Sequence, residues 1–295
     1  AEERLATWQD VKTRLTEQGY WQGETTLVHK DGHVLDASLI RSEVRDADGN
    51  NIGIVTVMRD ITKSKRLDEQ KARFIASASH ELRTPIANMK TRLFLMRRQP
   101  ERLHEHLEVA ESVANLMQQL IENLFDVSRF ERGVIKLNRE PVILQNLIRE
   151  TLRYQEPEAE RQAIALVSKI PDEPLRVHAD PYRLTQVMTN LIKNALNYTP
   201  ENGRVTVELT RTDESIRLTV SDTGQGIKDE HMSMLFTPFF RGQTDNLGAG
   251  LGLSISHEII KLHGGSIHAE STYGEGSRFI VDLPIAIMQA TAEMD

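Results

Sequence analysis

The sequence predicts a multidomain α+β protein built from three parts: a β-meander, a long helical hairpin and a mixed domain of helices and strands. β-Forming residues lie between Asp-Gly turns in residues 20–62, apolar residues recur at helical spacing in residues 63–139, and both patterns mix in residues 140–290. We therefore place the domains at residues 1–62, 63–139 and 140–290, with residues 291–295 as a tail.

Length and composition describe a soluble globular chain. The 295 residues are 39% apolar and 27% charged, and no stretch approaches the roughly 18 consecutive apolar residues that suggest a membrane-spanning helix. The chain has no cysteine, which excludes disulfides, thiolate metal sites and cysteine nucleophiles and fits a reducing compartment.

Charge is distributed unevenly along the chain. Residues 1–62 carry 7 basic and 11 acidic side chains, residues 63–139 carry 15 and 10, and residues 140–295 carry 14 and 22, giving net charges of −4, +5 and −8. The basic middle is either a solvated helical surface or a surface for an acidic protein partner. Because its positive charges are mixed with Glu and have no aromatic residues between them, nucleic acid is not expected as a partner.

The first part is predicted to be three antiparallel strands. Trp21 to His29, Val34 to Val44 and Ile52 to Arg59 are rich in β-forming residues. The turns between them contain Asp31-Gly32 and Asp48-Gly49-Asn50, which tolerate the positive φ angles of tight turns. This part is therefore a β-meander.

The second part is predicted to be two helices joined near Gln99-Pro100. Apolar residues of the first helix fall on one stripe, which contains Ile75, Ala78, Leu82, Ile86, Met89, Leu93 and Met96. The second helix, ending before Gly133, has a similar stripe, which contains Leu103, Leu107, Ala110, Ala114, Met117, Ile121 and Leu124. One hairpin cannot enclose its own apolar seam, so pairing with a second copy into a four-helix bundle is expected.

The third part is predicted to be α+β. The predicted helices are Leu144 to Tyr154, Asp180 to Asn197 and Leu251 to His263, and the predicted strands are Arg204 to Thr210, Ile216 to Ser221 and Gly276 to Leu283. The segment between Gly226 and Gly250 has little regular pattern. Long segments of this kind often form a lid over a site.

One histidine on the first long helix is a candidate for chemistry. His80 belongs to the segment SHELRTP, residues 79–85, and lies about 165° from the middle of the apolar stripe, so we expect it to face solvent. Most exposed helical histidines are ordinary surface residues, but Glu81 can orient and deprotonate the ring and Thr84 shares its face. Pro85 removes a backbone donor within the helix, which permits bending.

Two asparagines and two glycine-rich segments are further candidates. Asn190 and Asn194 lie on one face of a predicted helix, where amide oxygens suit Mg²⁺, although caps and surface positions explain most such pairs. Asp222 opens the segment DTGQG after a predicted strand and can accept a hydrogen bond from an exocyclic amine. The segment GAGLGL, residues 248–253, opens a helix whose free N–H groups suit phosphate, yet such a motif is often only a turn and is not the dinucleotide fingerprint.

Taken in order, these segments resemble the sensor histidine kinases of two-component systems. The resemblance covers residues 20–290 and rests on a histidine box at 79–85, an asparagine box at 190–199, glycine boxes at 222–226 and 248–253, and a phenylalanine box, FTPFFR, at 236–241. Residues 20–62 also resemble the second half of a PAS sensor domain. Its first half is missing, so we expect the sequence to be a piece of a longer protein.

The resemblance implies a dimeric four-helix bundle, a two-layer α/β sandwich that binds ATP and Mg²⁺, and a kinase that phosphorylates itself on histidine. His80 is implied as the phosphoacceptor, Glu81 as its general base and Thr84 as the residue that positions water for dephosphorylation of a partner. Arg241 is implied to approach the γ-phosphate. The implied nucleotide-binding residues are Asn190, Asn194, Tyr198, Asp222, Gly224, Gly226, Gly248, Gly250, Gly252 and Leu253, with Asn194 also holding the metal.

The partners implied by the resemblance are a second copy of the chain and a response-regulator receiver domain, whose aspartate receives the phosphoryl group from His80. The segment is expected in the cytoplasm without membrane contact of its own, although a full-length protein could carry a membrane or upstream sensor part. The resemblance also implies phosphatase activity on the regulator.

One departure from the family pattern leaves alternatives open. Asn197 stands where the asparagine box usually has Lys, so a cation facing phosphate is lost and Arg241 or Lys193 has to compensate. Two other classes remain: an ATPase of the gyrase, mismatch-repair or chaperone type, and a degenerate kinase that binds ATP only to set its conformation. The His80 box argues against the first, and Asn194, Asp222 and the glycines argue against the second.

Overall fold

The computed structural model describes residues 8–240 and 250–285. The chain forms two compact units, which divide within one long helix between Ser77 and Ala78. Within the described ranges, no helix combines the length and the apolar composition needed to cross a membrane.

The first unit contains the predicted β-meander and one helix that was not predicted. Helix α1 spans Trp8–Gln18, and strands β1 (Tyr20–Val28), β2 (Val34–Arg45) and β3 (Asn51–Asp60) form an antiparallel sheet in the order β1-β2-β3. A small core joins the helix to the sheet and contains Val11, Leu15, Trp21, Ala37 and Leu39. The meander is therefore confirmed, and α1 supplies the apolar cover for one of its faces.

The next helix begins directly after the meander. Helix α2 spans Thr62–Arg98, and its first residue is held to the sheet because the Asp36 backbone N–H donates to Thr62 Oγ1 at 2.9 Å. The Thr62 N–H donates to Asp60 Oδ1 at 2.9 Å. A short 3₁₀ turn, Pro100–Arg102, leads into α3 (Leu103–Glu131), which confirms the predicted hairpin.

The buried face of α3 differs from the predicted stripe. Four of the five buried side chains described on α3 recur every seven residues, at His106, Val113, Leu120 and Val127, and the fifth is Asp126. Leu103, Leu107 and Ile121 of the predicted stripe are instead more than 40% exposed. The predicted stripe is the one expected to pair with a second copy, whereas the buried line packs within the single chain, because α3 carries apolar residues on two sides.

His106 is the polar member of this buried line, and lies close to the turn between α2 and α3. Its side chain is only 1% exposed. Nε2 lies 3.3 Å from Gln99 Oε1, whereas Nδ1 has no hydrogen-bond partner among the described residues.

The remainder of the second unit is a helical layer on a five-stranded sheet. Its elements are β4 (Glu140–Ile143), α4 (Leu144–Arg161), β5 (Ala165–Lys169), β6 (Arg176–Ala179), α5 (Pro181–Tyr198), β7 (Arg204–Arg211), β8 (Ser215–Asp222), α6 (Asp229–Met232), α7 (Gly252–Leu262), β9 (Ser266–Thr272) and β10 (Gly276–Pro284). The main sheet has the order β5-β7-β8-β10-β9, with β5 parallel to β7 and the other pairs antiparallel. Strands β4 and β6 form a separate pair. The predicted α+β sandwich is confirmed.

Helix α5 occupies the middle of the helical layer and positions the site described below. It packs against α4, α7 and strands β7 and β8, and its N-terminus is capped by Asp180, whose Oδ1 accepts the Arg183 N–H at 3.1 Å. Leu191 and Ile192 are almost completely buried. Burying such a side chain contributes about 1.5–3 kcal/mol, so the helix is fixed firmly enough to orient polar side chains on its remaining face.

Candidate active site

His80 lies on the solvent side of α2, as predicted. Its side chain is 75% exposed, and Nδ1 lies 3.9 Å from Glu81 Oε1. Thr84, one turn further along, is also exposed, whereas Pro85 is buried. The imidazole is thus accessible to a second domain or protein, with a carboxylate beside it.

A cavity of about 290 Å³ collects most of the predicted nucleotide residues. It lies beside α5, between the end of β8, the start of α7 and one face of α3. The predicted residues that line it are Asn190, Asn194, Tyr198, Asp222, Gly226, Gly250, Gly252 and Leu253. Four segments that are far apart in the sequence therefore meet around one space.

Asp222 lies at the end of β8 and is 9% exposed. Its Oδ1 accepts two backbone hydrogen bonds, from the Gly224 N–H at 2.8 Å and from the Ser277 N–H at 3.2 Å. Burial raises the pKa of this carboxyl above its usual value, and the two hydrogen bonds act in the opposite direction. Because both backbone donors use Oδ1, Oδ2 is left to accept a hydrogen bond from a ligand.

Asn190 projects from α5 toward the first turn of α7, and Asn194, one turn further along α5, lines the cavity. Asn190 Nδ2 donates to Ser256 Oγ at 3.0 Å, and a Cβ atom at Gly252 would come within 2.0 Å of Asn190 Oδ1. Gly252 therefore allows the start of α7 to approach α5 closely. Gly252 and Leu253 at this helix start line the same cavity as Asn194, and the first N–H groups of a helix have no partner within the helix.

Two other glycines allow close backbone contacts around Asp222 and Tyr198. A Cβ atom at Gly224 would come within 2.3 Å of the Tyr198 carbonyl oxygen, and one at Gly226 within 2.1 Å of the Thr272 carbonyl oxygen. Gly226 also has φ +66°, a conformation that favours glycine. Gly224 does not line the cavity itself and acts through the backbone that it packs against.

Among its described residues, the segment predicted as a lid contains the four-residue helix α6 and a backbone contact between Phe239 and Gly250. The Phe239 N–H donates to the Gly250 carbonyl at 2.9 Å, and a Cβ atom at Gly250 would come within 2.6 Å of the Phe240 carbonyl oxygen. The predicted site residues Arg241 and Gly248 lie outside the described residues. Phe240 and Gly250 thus lie close together at the rim of the cavity.

Helix α3 supplies part of the cavity wall, which sequence analysis did not predict. Leu116, Gln119, Leu120 and Asn123 line the cavity and share one helix face at spacings of three and four residues. The periodicity of α3 contained this signal, but assigning the face to a nucleotide site requires the tertiary structure.

Cationic side chains also line the cavity. Lys193 and Lys228 both face it, and Lys228 Nζ lies 5.8 Å from the centre of the Tyr273 ring, which also borders the cavity. Asn197 lines the cavity at the position where the family pattern has Lys. The sequence predicts Lys193 as a compensating cation, but it does not predict that Lys228 and Tyr273 border the cavity.

A bidentate ion pair joins α3 to α5 next to this wall. Arg183 donates to both carboxylate oxygens of Asp126, at 2.6 and 3.0 Å, and Gln186 Nε2 lies 3.2 Å from Asp126 Oδ2. The two charged side chains are only 15% and 12% exposed. The hairpin helix and the helical layer are therefore connected by a specific polar contact as well as by packing.

The donor groups of the cavity fit Mg²⁺ bound mainly through a nucleotide. Asp222 is the one carboxylate among the described residues that line the cavity, and its Oδ1 is already occupied by backbone donors. Asn194 offers an amide oxygen, which is suitable for a hard cation. Mg²⁺ commonly takes one or two protein ligands and completes its shell with water and phosphate oxygens.

His263 is a buried neutral ring that contacts Asp180, the residue that caps the N-terminus of α5. Its Nε2 accepts the Asp180 N–H at 3.0 Å and its Nδ1 donates to the Ile259 carbonyl at 2.8 Å. Burial lowers the pKa of His263 below its usual value. Both ring nitrogens are thus satisfied only in the neutral form.

Acidification is expected to destabilise the second unit through His263. Below about pH 6.5 the unfolded chain gains a proton at this residue before the folded chain does, so the free energy of unfolding falls as pH decreases toward the lowered folded pKa. The contribution is at most about 1.4 kcal/mol per pH unit and is absent above that range. Denaturant unfolding at several pH values measures how the free energy of unfolding changes with pH. This pH dependence should be weaker in His263→Gln, whereas His268→Gln, at an exposed site, should keep the pH dependence of the parent.

Comparisons with known proteins agree with this architecture. The family model for the His Kinase A (phospho-acceptor) domain matches residues 70–133, and the model for the histidine kinase-, DNA gyrase B- and HSP90-like ATPases matches residues 179–287. The fold and the cavity therefore define a protein that joins a phospho-acceptor hairpin to an ATPase domain. The chain belongs to the sensor histidine kinases.

Individual relatives extend the match beyond the two domains. The alginate biosynthesis sensor protein KinB of Pseudomonas aeruginosa is 31% identical over 242 residues, covering 80% of this chain and 41% of KinB. The structure of the histidine kinase AdeS of Acinetobacter baumannii has a TM-score of 0.59 at 25% identity, covering 70% of this chain and 98% of that one. The structure of the histidine kinase ThkA in complex with the response regulator protein TrrA has a TM-score of 0.57 at 25% identity, covering 94% of this chain and 82% of that one. The chain spans 41–50% of the length of the first curated relatives.

Proposed function

We propose that this chain is an ATP-dependent protein-histidine autokinase that phosphorylates His80 and passes the phosphoryl group to a response-regulator aspartate. The observation that carries the proposal is the convergence of Asn194, Asp222 and the start of α7 on one cavity, in a chain that also exposes His80 beside Glu81. The cavity supplies groups for base, metal and phosphate recognition. The histidine supplies an accessible nucleophile.

Nucleotide binding follows from the chemistry of the cavity wall. Asp222 Oδ2 accepts a hydrogen bond from the exocyclic amine of adenine, and Tyr198 packs beside the base. The N–H groups at the start of α7, with Lys193 and Lys228, compensate the charge of the phosphates. These two lysines supply the cation that Asn197 does not. Asn194 would hold Mg²⁺, which neutralises phosphate charge when bound, and Asn190 supports this region through Ser256.

The transfer step depends chiefly on alignment and charge neutralisation. The neutral His80 ring attacks the γ-phosphorus of ATP with one nitrogen, the bond to the ADP oxygen breaks, and Glu81 accepts the proton from the other nitrogen. The aspartate of a receiver domain then takes the phosphoryl group, the nitrogen–phosphorus bond breaks, and Glu81 returns its proton to the ring, which leaves His80 neutral again. Bending of α2 at Pro85 provides a means of bringing ring and γ-phosphate into line.

Incubation with γ-labelled ATP tests the proposal against the two alternatives. An acid-labile, alkali-stable label on the protein that disappears in His80→Gln supports the kinase. Phosphate release without protein label supports the ATPase class. Nucleotide binding with neither product supports a module that uses ATP only to set its conformation.

We propose a homodimer formed through the hairpin. Apolar side chains of α2 and α3 remain exposed in the single chain, among them Ile86 (42%), Leu93 (54%) and Phe125 (61%). A second copy would cover them and complete a four-helix bundle. The receiver partner is supported by the solved complex of ThkA with TrrA. Residues 1–62 are proposed to be the C-terminal part of a PAS domain, and the segment to act in the cytoplasm, where ATP and the receiver are available.

A charge in the apolar seam of the hairpin is expected to dissociate the dimer into monomers. Leu82, half-buried in the single chain, belongs to the stripe that the dimer encloses, so Leu82→Glu places a carboxylate in an apolar interface at a cost of several kcal/mol. Sedimentation should show monomers, whereas Arg83→Glu on the exposed side should stay dimeric. A Leu82→Glu protein that remains dimeric contradicts the placement of the seam.

Glu81 and Thr84 are expected to separate the two activities proposed for the His80 face. Glu81→Ala should slow autophosphorylation about 100-fold, because it removes the group that receives the proton. Thr84→Ala should leave autophosphorylation within a few-fold and reduce dephosphorylation of a purified cognate regulator, because water replaces histidine as the nucleophile there. Unchanged dephosphorylation by Thr84→Ala would contradict this assignment.

A further inference from the structure

The turn between β1 and β2 carries three side chains that can bind a metal ion. His29, Asp31 and His33 alternate along this turn, and the last strand pair before it is Val28 with Val34. The backbone of the turn is closed because the His29 N–H donates to the His33 carbonyl at 2.8 Å and the Gly32 N–H donates to the His29 carbonyl at 2.9 Å. Gly32 has φ +90°, which lets the chain reverse here without strain.

The turn brings the three donor groups together. His29 Nδ1 lies 2.9 Å and His33 Nδ1 lies 2.5 Å from the same carboxylate oxygen, Asp31 Oδ1. The two imidazole rings stack at a centroid distance of 4.5 Å. One candidate donor atom from each residue lies within 4.8 Å of the others, and this is the single cluster of three such residues found in residues 8–240 and 250–285.

We propose that this turn binds a divalent transition-metal ion, with Zn²⁺ as the representative, through the ring nitrogens of His29 and His33 and the carboxylate of Asp31. Two imidazoles with one carboxylate form a donor set that suits Zn²⁺ and related ions, whereas Mg²⁺ prefers oxygen ligands. Zinc–ligand bonds of about 2.0–2.2 Å in tetrahedral geometry place neighbouring donors about 3.3–3.6 Å apart. The Asp31 oxygen therefore has to move away from each ring nitrogen by about 1 Å or less, and the metal would take the place of the direct contacts between them.

The surroundings of the turn favour reversible binding. All three side chains are exposed, so the ion can enter from solvent, and three protein ligands leave at least one position for water. The backbone hydrogen bonds hold the turn independently of the side chains, so metal binding does not have to fold it. Asp60 is close enough to His33 for their charges to interact, which adds negative potential, while Lys30 contributes the positive charge within the turn.

Calorimetric titration of the full chain with Zn²⁺, in the presence of excess Mg²⁺ and without nucleotide, tests the site. We expect one equivalent of Zn²⁺ to bind. His29→Ala and His33→Ala should each weaken Zn²⁺ binding by at least about tenfold, because removing even a residue that only supports a metal ligand typically costs about 10–100-fold in affinity. Asp31→Asn should weaken binding as well. Titration with Co²⁺ should give visible absorption bands that disappear in the double variant His29→Ala/His33→Ala.

His104→Ala provides the matched control. His104 is exposed and lies 3.2 Å from Glu108 Oε1, so it is another histidine beside a carboxylate but without a third ligand. Its loss should leave Zn²⁺ affinity and stoichiometry unchanged. Unchanged Zn²⁺ binding in the His29→Ala/His33→Ala double variant, or an equal loss in His104→Ala, overturns the proposal. Circular dichroism of each variant, which should match the parent, separates lost ligands from lost fold.

Discussion

Asn194→Asp is expected to slow phosphorylation of His80 by about 100-fold or more while changing nucleotide affinity much less. The substitution keeps the size of the side chain but adds a negative charge where Mg²⁺ and phosphate are proposed to meet, and misplaced charge affects the transition state most strongly. Asp222→Asn should do the reverse. Its oxygen would stay with the Gly224 and Ser277 N–H donors, so the new amide N–H₂ would face the adenine amine and lower affinity by about 10–100-fold.

Two measurements separate these effects. Calorimetry with Mg²⁺-ADP gives nucleotide affinity, and single-turnover labelling at saturating ATP gives the transfer rate. Asn115→Asp, which adds the same charge on an exposed face of α3, should change neither quantity. Equal losses of affinity and rate in both site variants would contradict the division of roles between the two residues.

Asp126→Ala is expected to destabilise the second unit by about 2–3 kcal/mol, because Arg183 would lose the carboxylate of a largely buried ion pair and keep only the Gln186 amide oxygen. A loss of this size lowers the midpoint of thermal unfolding by roughly 5–10 °C in a unit of this length. Reversing the charges in Asp126→Arg/Arg183→Asp should recover part of the loss, since the contact joins the same two helices.

The exposed pair of Glu158 and Arg161 is the control for this experiment. Glu158 and Arg161 are 41% and 70% exposed, so Glu158→Ala should cost less than about 1 kcal/mol. If Asp126→Ala has no larger effect than Glu158→Ala, the contact between α3 and α5 does not contribute to stability, and packing alone holds the two helices together.

The sequence was most informative where local signals agreed with the tertiary structure. Helix α5 was predicted almost to its ends, because Asp180 before Pro181 marks the start and a regular apolar stripe follows. Strand β9 was missed because it is an edge strand with one buried residue, Ile267, and therefore has little apolar alternation. Helix α4 extends to Arg161 and contains Pro157, past the Tyr154 at which the prediction ended.

Some parts of the candidate site could be predicted from the sequence and others could not. Asn194 and Asp222 belong to short segments whose chemistry is visible in the residues themselves, and the structure brings them to one cavity. The α3 wall, with Gln119 and Asn123, was not predictable, because nothing in a helical repeat indicates which distant domain will pack against it. The family roles of the site residues remain proposals that the variants above test.

The buried His106 has a consequence for how α2 and α3 align. The buried apolar residues of α3 are Val113, Leu120 and Val127, and apolar contacts of this kind have no fixed direction. A shift of the start of α3 relative to the turn would separate His106 from Gln99, its partner at 3.3 Å, and leave a buried ring with no hydrogen bond, at a cost of about 1–3 kcal/mol. One imidazole near the tip thus holds the turn at a defined position on α3, much as an isolated buried polar residue fixes the register of a coiled coil.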